Sequence, residues 1–155
     1  MKIKNVIIIA TLCTGLAVFT SCEKDNESGD SNMSQTGGTK SHNAGQNCMN
    51  CHKAGGNGDG QFNVAGTVYN AQLASTFPNA VIKLYSQANG SGTLRATING
   101  DANGNFYTTE AVDFTGGLYP AILGSGTNIK YMSGPITSGA CSSCHGGSTS
   151  KLWVN

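Results

Sequence analysis

The sequence predicts a mainly β protein, in which a small antiparallel β-sandwich is flanked by short helical or loop segments. Apolar and polar residues alternate over several short runs between residues 62 and 132, which is typical of half-buried strands. Turn-forming stretches rich in Gly and Asn separate these runs, and residues 99–105 (NGDANGN) are the densest of them. The region is long enough to enclose one modest hydrophobic core, so we expect a single sandwich.

Each predicted strand follows from its own pattern. Phe62 to Val68 alternates apolar and polar residues, and Ala80, Ile82 and Leu84 alternate with Val81, Lys83 and Tyr85 in the same way. The remaining strands are predicted at residues 94–98, 106–109, 118–123 and 128–132.

Three stretches of this region resemble the carboxypeptidase regulatory-like, transthyretin-like sandwich family. They are residues 65–69 (AGTVY), 79–84 (NAVIKL) and 101–106 (DANGNF), which match the order of a G-x-V strand, an A-x-V-x-L strand and a D-x-x-G-x-F turn. The resemblance covers roughly residues 64–107. It implies a structural or binding module, since that family contributes rigidity and surface rather than catalysis.

Two short motifs lie on either side of the predicted sandwich. Residues 48–52 (CMNCH) and residues 141–145 (CSSCH) both read C-x-x-C-H, which is the attachment signature of c-type haem. Two thiols three positions apart lie on one side of a helical turn, from which both can form thioethers with one porphyrin. The histidine that follows then reaches the iron. We therefore expect two covalently bound haems, attached through Cys48, Cys51, Cys141 and Cys144.

Two other roles for these cysteines remain open. Four thiols in an exported protein could form disulfides, and two C-x-x-C pairs could bind zinc. Zinc ribbons usually separate their pairs by roughly 15–20 residues, whereas about 90 residues lie between these pairs. Neither alternative explains why a histidine, His52 or His145, directly follows each pair.

The N-terminus predicts export. Lys2 and Lys4 precede an apolar run at residues 6–19, which is typical of a signal peptide and short for a membrane span. The small residues before Cys22 resemble the lipobox of bacterial lipoproteins, which implies that Cys22 is lipidated. The alternative is an ordinary cleaved signal that leaves a free thiol. We expect an exported, membrane-anchored lipoprotein of the outer membrane or cell surface.

This organisation divides the chain into five parts. Residues 23–40 are polar and charged with almost no apolar residue, so they predict a flexible tether. In order, we expect a signal peptide (1–21), the tether (22–41), a first haem-binding segment (42–60), the sandwich (61–137) and a second haem-binding segment (138–155).

The axial ligands of the irons follow from a count of histidines. His52 and His145 take the proximal positions, so of the three histidines in the chain only His42 is left for a distal position. The five residues between His42 and Cys48 can reach roughly 15–20 Å, enough to pass the edge of a porphyrin. His42 could equally serve the second haem if the two ends of the chain meet, or it could be an exposed linker residue. At most one haem can therefore have two histidine ligands.

The second haem has several candidate arrangements. A thioether is the usual alternative ligand, and Met132, nine residues before Cys141, is the best placed methionine. Met132 could instead be a core residue at a strand end. In that case the second iron is five-coordinate or takes a lysine such as Lys130.

Composition limits the partners. Without the signal peptide the chain has seven basic and eight acidic residues, and it shows no basic patch suited to nucleic acid. Electron-transfer partners meet through small, transient surfaces, for which a polar, nearly neutral chain is adequate. We expect redox proteins or extracellular electron acceptors as partners, a lipid anchor in the membrane, and self-assembly as a further option.

The expected function is electron transfer without enzymatic activity: a surface-anchored dihaem cytochrome c that passes single electrons between partners. One alternative is a structural subunit whose sandwich arranges haems into a conducting array. A haem peroxidase is a weaker alternative, because the chain offers no spare histidine and no Arg/Glu pair near either motif to cleave a peroxide.

Overall fold

Residues 33–155 are described by a computed structural model, and they form two four-stranded sheets. The first sheet has the order β4-β1-β7, with β8 also paired to β1, and the second has the order β3-β2-β5-β6. The strands are β1 (Val64–Tyr69), β2 (Val81–Tyr85), β3 (Leu94–Asn99), β4 (Asn105–Thr108), β5 (Tyr119–Leu123), β6 (Ile129–Tyr131), β7 (Gly139–Ala140) and β8 (Leu152–Trp153). Three short 3-10 turns lie at Cys48–Asn50, Ala88–Gly90 and Cys141–Ser143.

The predicted fold class is confirmed: the chain is mainly β, with two sheets rich in antiparallel pairs. The alternating residues of β2 behave as expected, since Ile82 and Leu84 are buried in the core together with Ala80. Phe106, which follows the dense turn, is also buried there. Leu94 is the exception on β3, because this strand lies at the edge of its sheet and leaves the side chain 46% exposed.

The C-terminal segment is part of the sandwich. Strands β7 and β8 both pair with β1, and both pairs are parallel. Val154, which follows β8, is fully buried in the core. The boundary expected at residue 137 therefore does not separate two structural units, and two-residue strands are too short to give a periodic signal in the sequence.

The segment from Met33 onward is docked on the sandwich. The Ser34 hydroxyl is buried and donates a hydrogen bond to the Asn99 carbonyl. The Asn79 side chain accepts a bond from the Gly37 N–H (2.8 Å), and the Asn103 amide donates to the Thr39 carbonyl (3.0 Å). Residues 33–41, the last part of the predicted tether, are thus held on the sandwich by bonds to asparagines of its turns. The signal peptide, Cys22 and residues 22–32 lie outside the described residues.

Gly66 marks a close approach within the core. A Cβ atom at Gly66 would lie 2.6 Å from Phe106 Cζ and 3.0 Å from Cys141 Cβ. We expect Gly66→Ala to lower the free energy of unfolding by about 1–3 kcal/mol, because the neighbours must move to admit the methyl group. Urea denaturation measures this change. Gly134→Ala is the control, since nothing lies within 4 Å of the added atom; equal stability of the two variants would contradict the prediction.

Candidate haem-binding site

The two C-x-x-C-H motifs adopt the same local structure. Each begins with a 3-10 turn, Cys48–Asn50 in the first and Cys141–Ser143 in the second. The N–H of His52 donates to the Cys48 carbonyl at 2.9 Å, and the N–H of His145 donates to the Cys141 carbonyl at 3.0 Å. These bonds wind each motif into a single helical turn, in which residues three positions apart can face the same side.

The two histidines are held in the same way. Nδ1 of His52 lies 2.7 Å from the Asp59 carbonyl oxygen, and Nδ1 of His145 lies 2.8 Å from the Ser150 carbonyl oxygen. A carbonyl only accepts, so each Nδ1 carries a proton, and in the neutral imidazole the lone pair is then on Nε2. A second bond that fixes the tautomer and the ring orientation is typical of metal-ligating histidines. Both motifs therefore have an Nε2 prepared to bind iron.

His42 lies beside the first motif. Its ring centre is 6.0 Å from that of His52, and the rings are tilted by 36°. A metal ion bonded at about 2 Å to one nitrogen of each imidazole places the two ring centres roughly 6 Å apart. The spacing thus fits two axial ligands of one iron. The sequence left open which of the two motifs His42 serves, and the structure places it beside His52.

The His52 ring is also supported by aromatic stacking that the sequence analysis did not identify. Phe62 stacks on His52 with ring centres 4.0 Å apart, and Tyr107 stacks on Phe62 at 4.5 Å. The rings are nearly parallel, at 5° and 13°. Phe62 lies just before β1 and Tyr107 lies on β4, which pairs with β1. The sandwich itself therefore holds the His52 ring in place.

Gly58 is a second residue that the sequence analysis missed. A Cβ atom there would lie 2.7 Å from His52 Nδ1, so the loop passes this close to the ring only because residue 58 is glycine. The Gly58 N–H donates to the Cys51 carbonyl at 3.0 Å. The glycine-rich stretch at residues 55–60 is thus fastened to the motif. The repeated glycines were the available signal.

Both motifs lie against strand β1. The two cysteine turns contact this strand, and Cys141 approaches Gly66 as described above. Burial raises the pKa of the Cys141 thiol to about 12, and the proximity of the Cys48 thiol adds to that rise. Burial also raises the pKa of the Cys48 thiol, with a smaller contribution from the Asp101 carboxylate. Two motifs distant in sequence are therefore neighbours in the fold.

The cysteines differ in their bonding. The thiols of Cys48, Cys141 and Cys144 are free, whereas Cys51 is in a disulfide. A sulfur in a disulfide cannot also form a thioether. The Cys51 disulfide and haem attachment through Cys51 therefore exclude each other. Within residues 33–155, no group of three or more His, Cys, Asp or Glu side chains is arranged to hold a metal ion.

The two candidate distal ligands of the second haem, Met132 and Lys130, lie at strand β6, in the sheet that does not contain β1. Met132 directly follows β6, is half-buried, and donates its N–H to the Pro120 carbonyl at 3.0 Å. Lys130, on β6, places its ammonium 3.0 Å from the centre of the Trp153 ring. No described contact joins either side chain to His145, so Met132 as an axial ligand stays a prediction.

In residues 33–155, no helix is long and apolar enough to cross a membrane. No protein-family model, curated protein sequence or solved structure matches this chain.

Proposed function

We propose that this protein is a surface-anchored dihaem c-type cytochrome that carries single electrons between redox partners. The observation that carries the proposal is the repeated geometry of the two motifs. Each has the same 3-10 turn and the same backbone bond from the histidine to the first cysteine, and in each histidine Nδ1 lies at a carbonyl oxygen. Two disulfide-forming or zinc-binding pairs have no need of an oriented imidazole directly after the second cysteine.

Four cysteines and three histidines have roles in this proposal. Cys48 and Cys51 attach the first haem, and His52 and His42 ligate its iron. Cys141 and Cys144 attach the second haem, His145 ligates its iron, and Met132 is the candidate for the sixth position. Bound haem supplies a one-electron couple whose potential depends on these ligands and their surroundings. The carbonyls of Asp59 and Ser150 hold the proximal imidazoles in the tautomer that exposes Nε2.

The position of both motifs on β1 supports electron exchange within one chain. Because both cysteine turns contact β1, Cys48 and Cys141 would hold their haems beside the same strand. An electron accepted at one haem can then pass to the other without diffusion of the protein.

Mass spectrometry of the protein purified from its native compartment tests the proposal. We expect two haem increments on the denatured chain and a pyridine haemochrome spectrum typical of thioether attachment. A mature chain with no bound haem contradicts the proposal.

The structural alternative is favoured by a separate observation. Ile129 and Tyr131 on edge strand β6, and Leu94 on edge strand β3, are 44–46% exposed. Exposed apolar edge strands are suited to pairing with another chain, which would arrange the haems of neighbouring copies. Sedimentation velocity over a range of concentrations distinguishes an assembling subunit from a monomeric carrier.

The peroxidase alternative lacks such support. Arg95 is the sole arginine of the chain, and it lies on β3 in the sheet opposite to that of β1. Both motifs contact β1, so this guanidinium is not placed beside either of them to polarise a peroxide.

Membrane anchoring through Cys22 is a further part of the proposal. We expect Cys22→Ala to move the protein from the membrane fraction to the soluble exported fraction, because the lipid is the anchor. Fractionation followed by immunoblotting measures this change. Ser21→Ala is the control, since it keeps a small residue before the cysteine. A Cys22→Ala protein that stays in the membrane fraction at high salt shows that the anchor lies elsewhere.

A further inference from the structure

The loop that carries His42 is fastened to the sandwich at both of its ends. At its start, the Asn105 amide donates to Ser41 Oγ at 2.9 Å and to the His42 carbonyl at 3.2 Å. At its end, the Gly45 N–H donates to Thr67 Oγ1 at 2.8 Å. His42 itself is exposed, so its own packing contributes little to holding it. Its position depends on these anchors.

The two anchors are joined to each other inside the protein. Thr67 Oγ1 donates to Asn105 Oδ1 at 2.6 Å, and both residues are 3% exposed. Asn105 is in turn aligned by Asp101, whose carboxylate accepts a bond from the Asn105 N–H at 3.0 Å. The Thr67 hydroxyl donates its one proton to the Asn105 amide oxygen and accepts a bond from the Gly45 N–H, so its orientation is fixed. The pair is therefore a rigid base for the loop.

We propose that the buried Thr67–Asn105 pair is a positioning device that holds His42 as the second axial ligand of the haem at residues 48–52. This inference rests on the proposed function. The His42 and His52 rings come from two segments that touch the same strand, β1, so their 6.0 Å separation is set by how firmly each segment is fastened there. If the bond from Gly45 to Thr67 is lost, the loop is more mobile, and the His42 imidazole spends more time too far from the iron to bind it.

The sharpest test is Thr67→Val, which keeps the β-branched shape and removes the hydroxyl. Losing this hydrogen-bonding group is expected to raise the open population of the loop roughly tenfold. Two measurements follow it in the holoprotein. Amide exchange at Gly45 should accelerate roughly tenfold, and carbon monoxide should bind the ferrous first haem roughly tenfold faster, because the gas enters only when His42 has left the iron. The phase that belongs to this haem is the one that His42→Ala makes fast.

Two further variants provide the controls. Thr67→Ser keeps the hydroxyl and should restore both rates to within about twofold of the wild type. Thr108→Val removes an equally buried threonine hydroxyl from β4, where Oγ1 accepts a bond from the Glu110 N–H rather than from the His42 loop, and should leave both rates unchanged. If Thr67→Val does not fold, Ser41→Ala removes the bonds that Ser41 Oγ accepts from the Asn105 and Asn103 amides, and a roughly threefold increase in both rates is expected.

The outcomes separate this inference from the proposed function. Unchanged carbon monoxide binding in Thr67→Val, with or without faster exchange at Gly45, overturns the positioning role and leaves the dihaem assignment intact. Wild-type protein that contains no haem overturns both. Faster carbon monoxide binding together with faster exchange, restored by Thr67→Ser, supports the positioning role.

Discussion

A chain with Cys141→Ala is expected to carry one haem instead of two, and Cys48→Ala is expected to have the same effect at the other site. Each variant leaves a single thioether to form, and attachment through two bonds fixes both the plane and the orientation of the ring. The mass of the denatured protein measures the loss directly, one haem increment for each variant. Visible absorbance per chain should fall by about half. The double variant should contain no haem.

The control for these variants is Ser142→Ala, which changes an intervening position of the second motif and should keep both haems. Cys51 needs its own measurement, because it is in a disulfide in the structure. Reduction followed by alkylation frees and labels a disulfide sulfur, whereas a thioether resists both. The first motif does not bind haem if Cys51 is labelled after reduction and the haem content of Cys48→Ala equals that of the wild type.

His42→Ala is expected to convert the first haem from a low-spin to a high-spin ferric state and to raise its potential. Imidazole stabilises ferric iron, so its removal favours reduction. The shift is expected to be on the order of 0.1 V, within the ~0.8 V range over which axial ligands tune haem potentials. The second haem should keep its potential, so only one of two waves in a redox titration should move. EPR at low temperature reports the change of spin state.

Gln46→Ala is the matched control, since Gln46 is exposed on the same loop as His42. Its titration should be superimposable on that of the wild type. A titration in which His42→Ala leaves both waves in place shows that His42 is a linker residue, and movement of both waves shows that the two irons are coupled more strongly than separate ligand sets imply.

The strands of the fold could be predicted from sequence, because half-buried strands have a period of two. The strand of Ile82 and Leu84 lies within one residue of the prediction, and the turn before Phe106 is where the Gly and Asn residues placed it. The pairing of β1 with β7 and β8 could not be predicted, since Gly139–Ala140 and Leu152–Trp153 are too short to show a pattern. Their pairing is decided by tertiary contacts with β1.

The candidate site divides in the same way. The motif cysteines and histidines are recognisable because the chemistry of attachment fixes their spacing. The count of histidines left open which motif His42 serves, and its place beside His52 is known only from the structure. The groups that hold the rings could not be predicted. The bonds to His52 and His145 come from carbonyls of Asp59 and Ser150, and a backbone carbonyl leaves no trace in residue type. Thr67 and Asn105 were hidden for a related reason, since Thr67 looks like an ordinary strand residue and Asn105 like part of the turn until the docked loop is known.

The completion of β1 by the last residues of the chain has a consequence for the order of events during biogenesis. Strands β7 and β8 pair with a strand that precedes them by most of the sandwich sequence, and such non-local pairings form slowly. Cys141 packs against the core only once they have formed. A newly synthesised chain therefore passes through an interval in which the first sheet is open and the Cys141 thiol is accessible. On the proposed function, the slow closure of β1 is the time available to an attachment enzyme, and mutations that speed folding would shorten it.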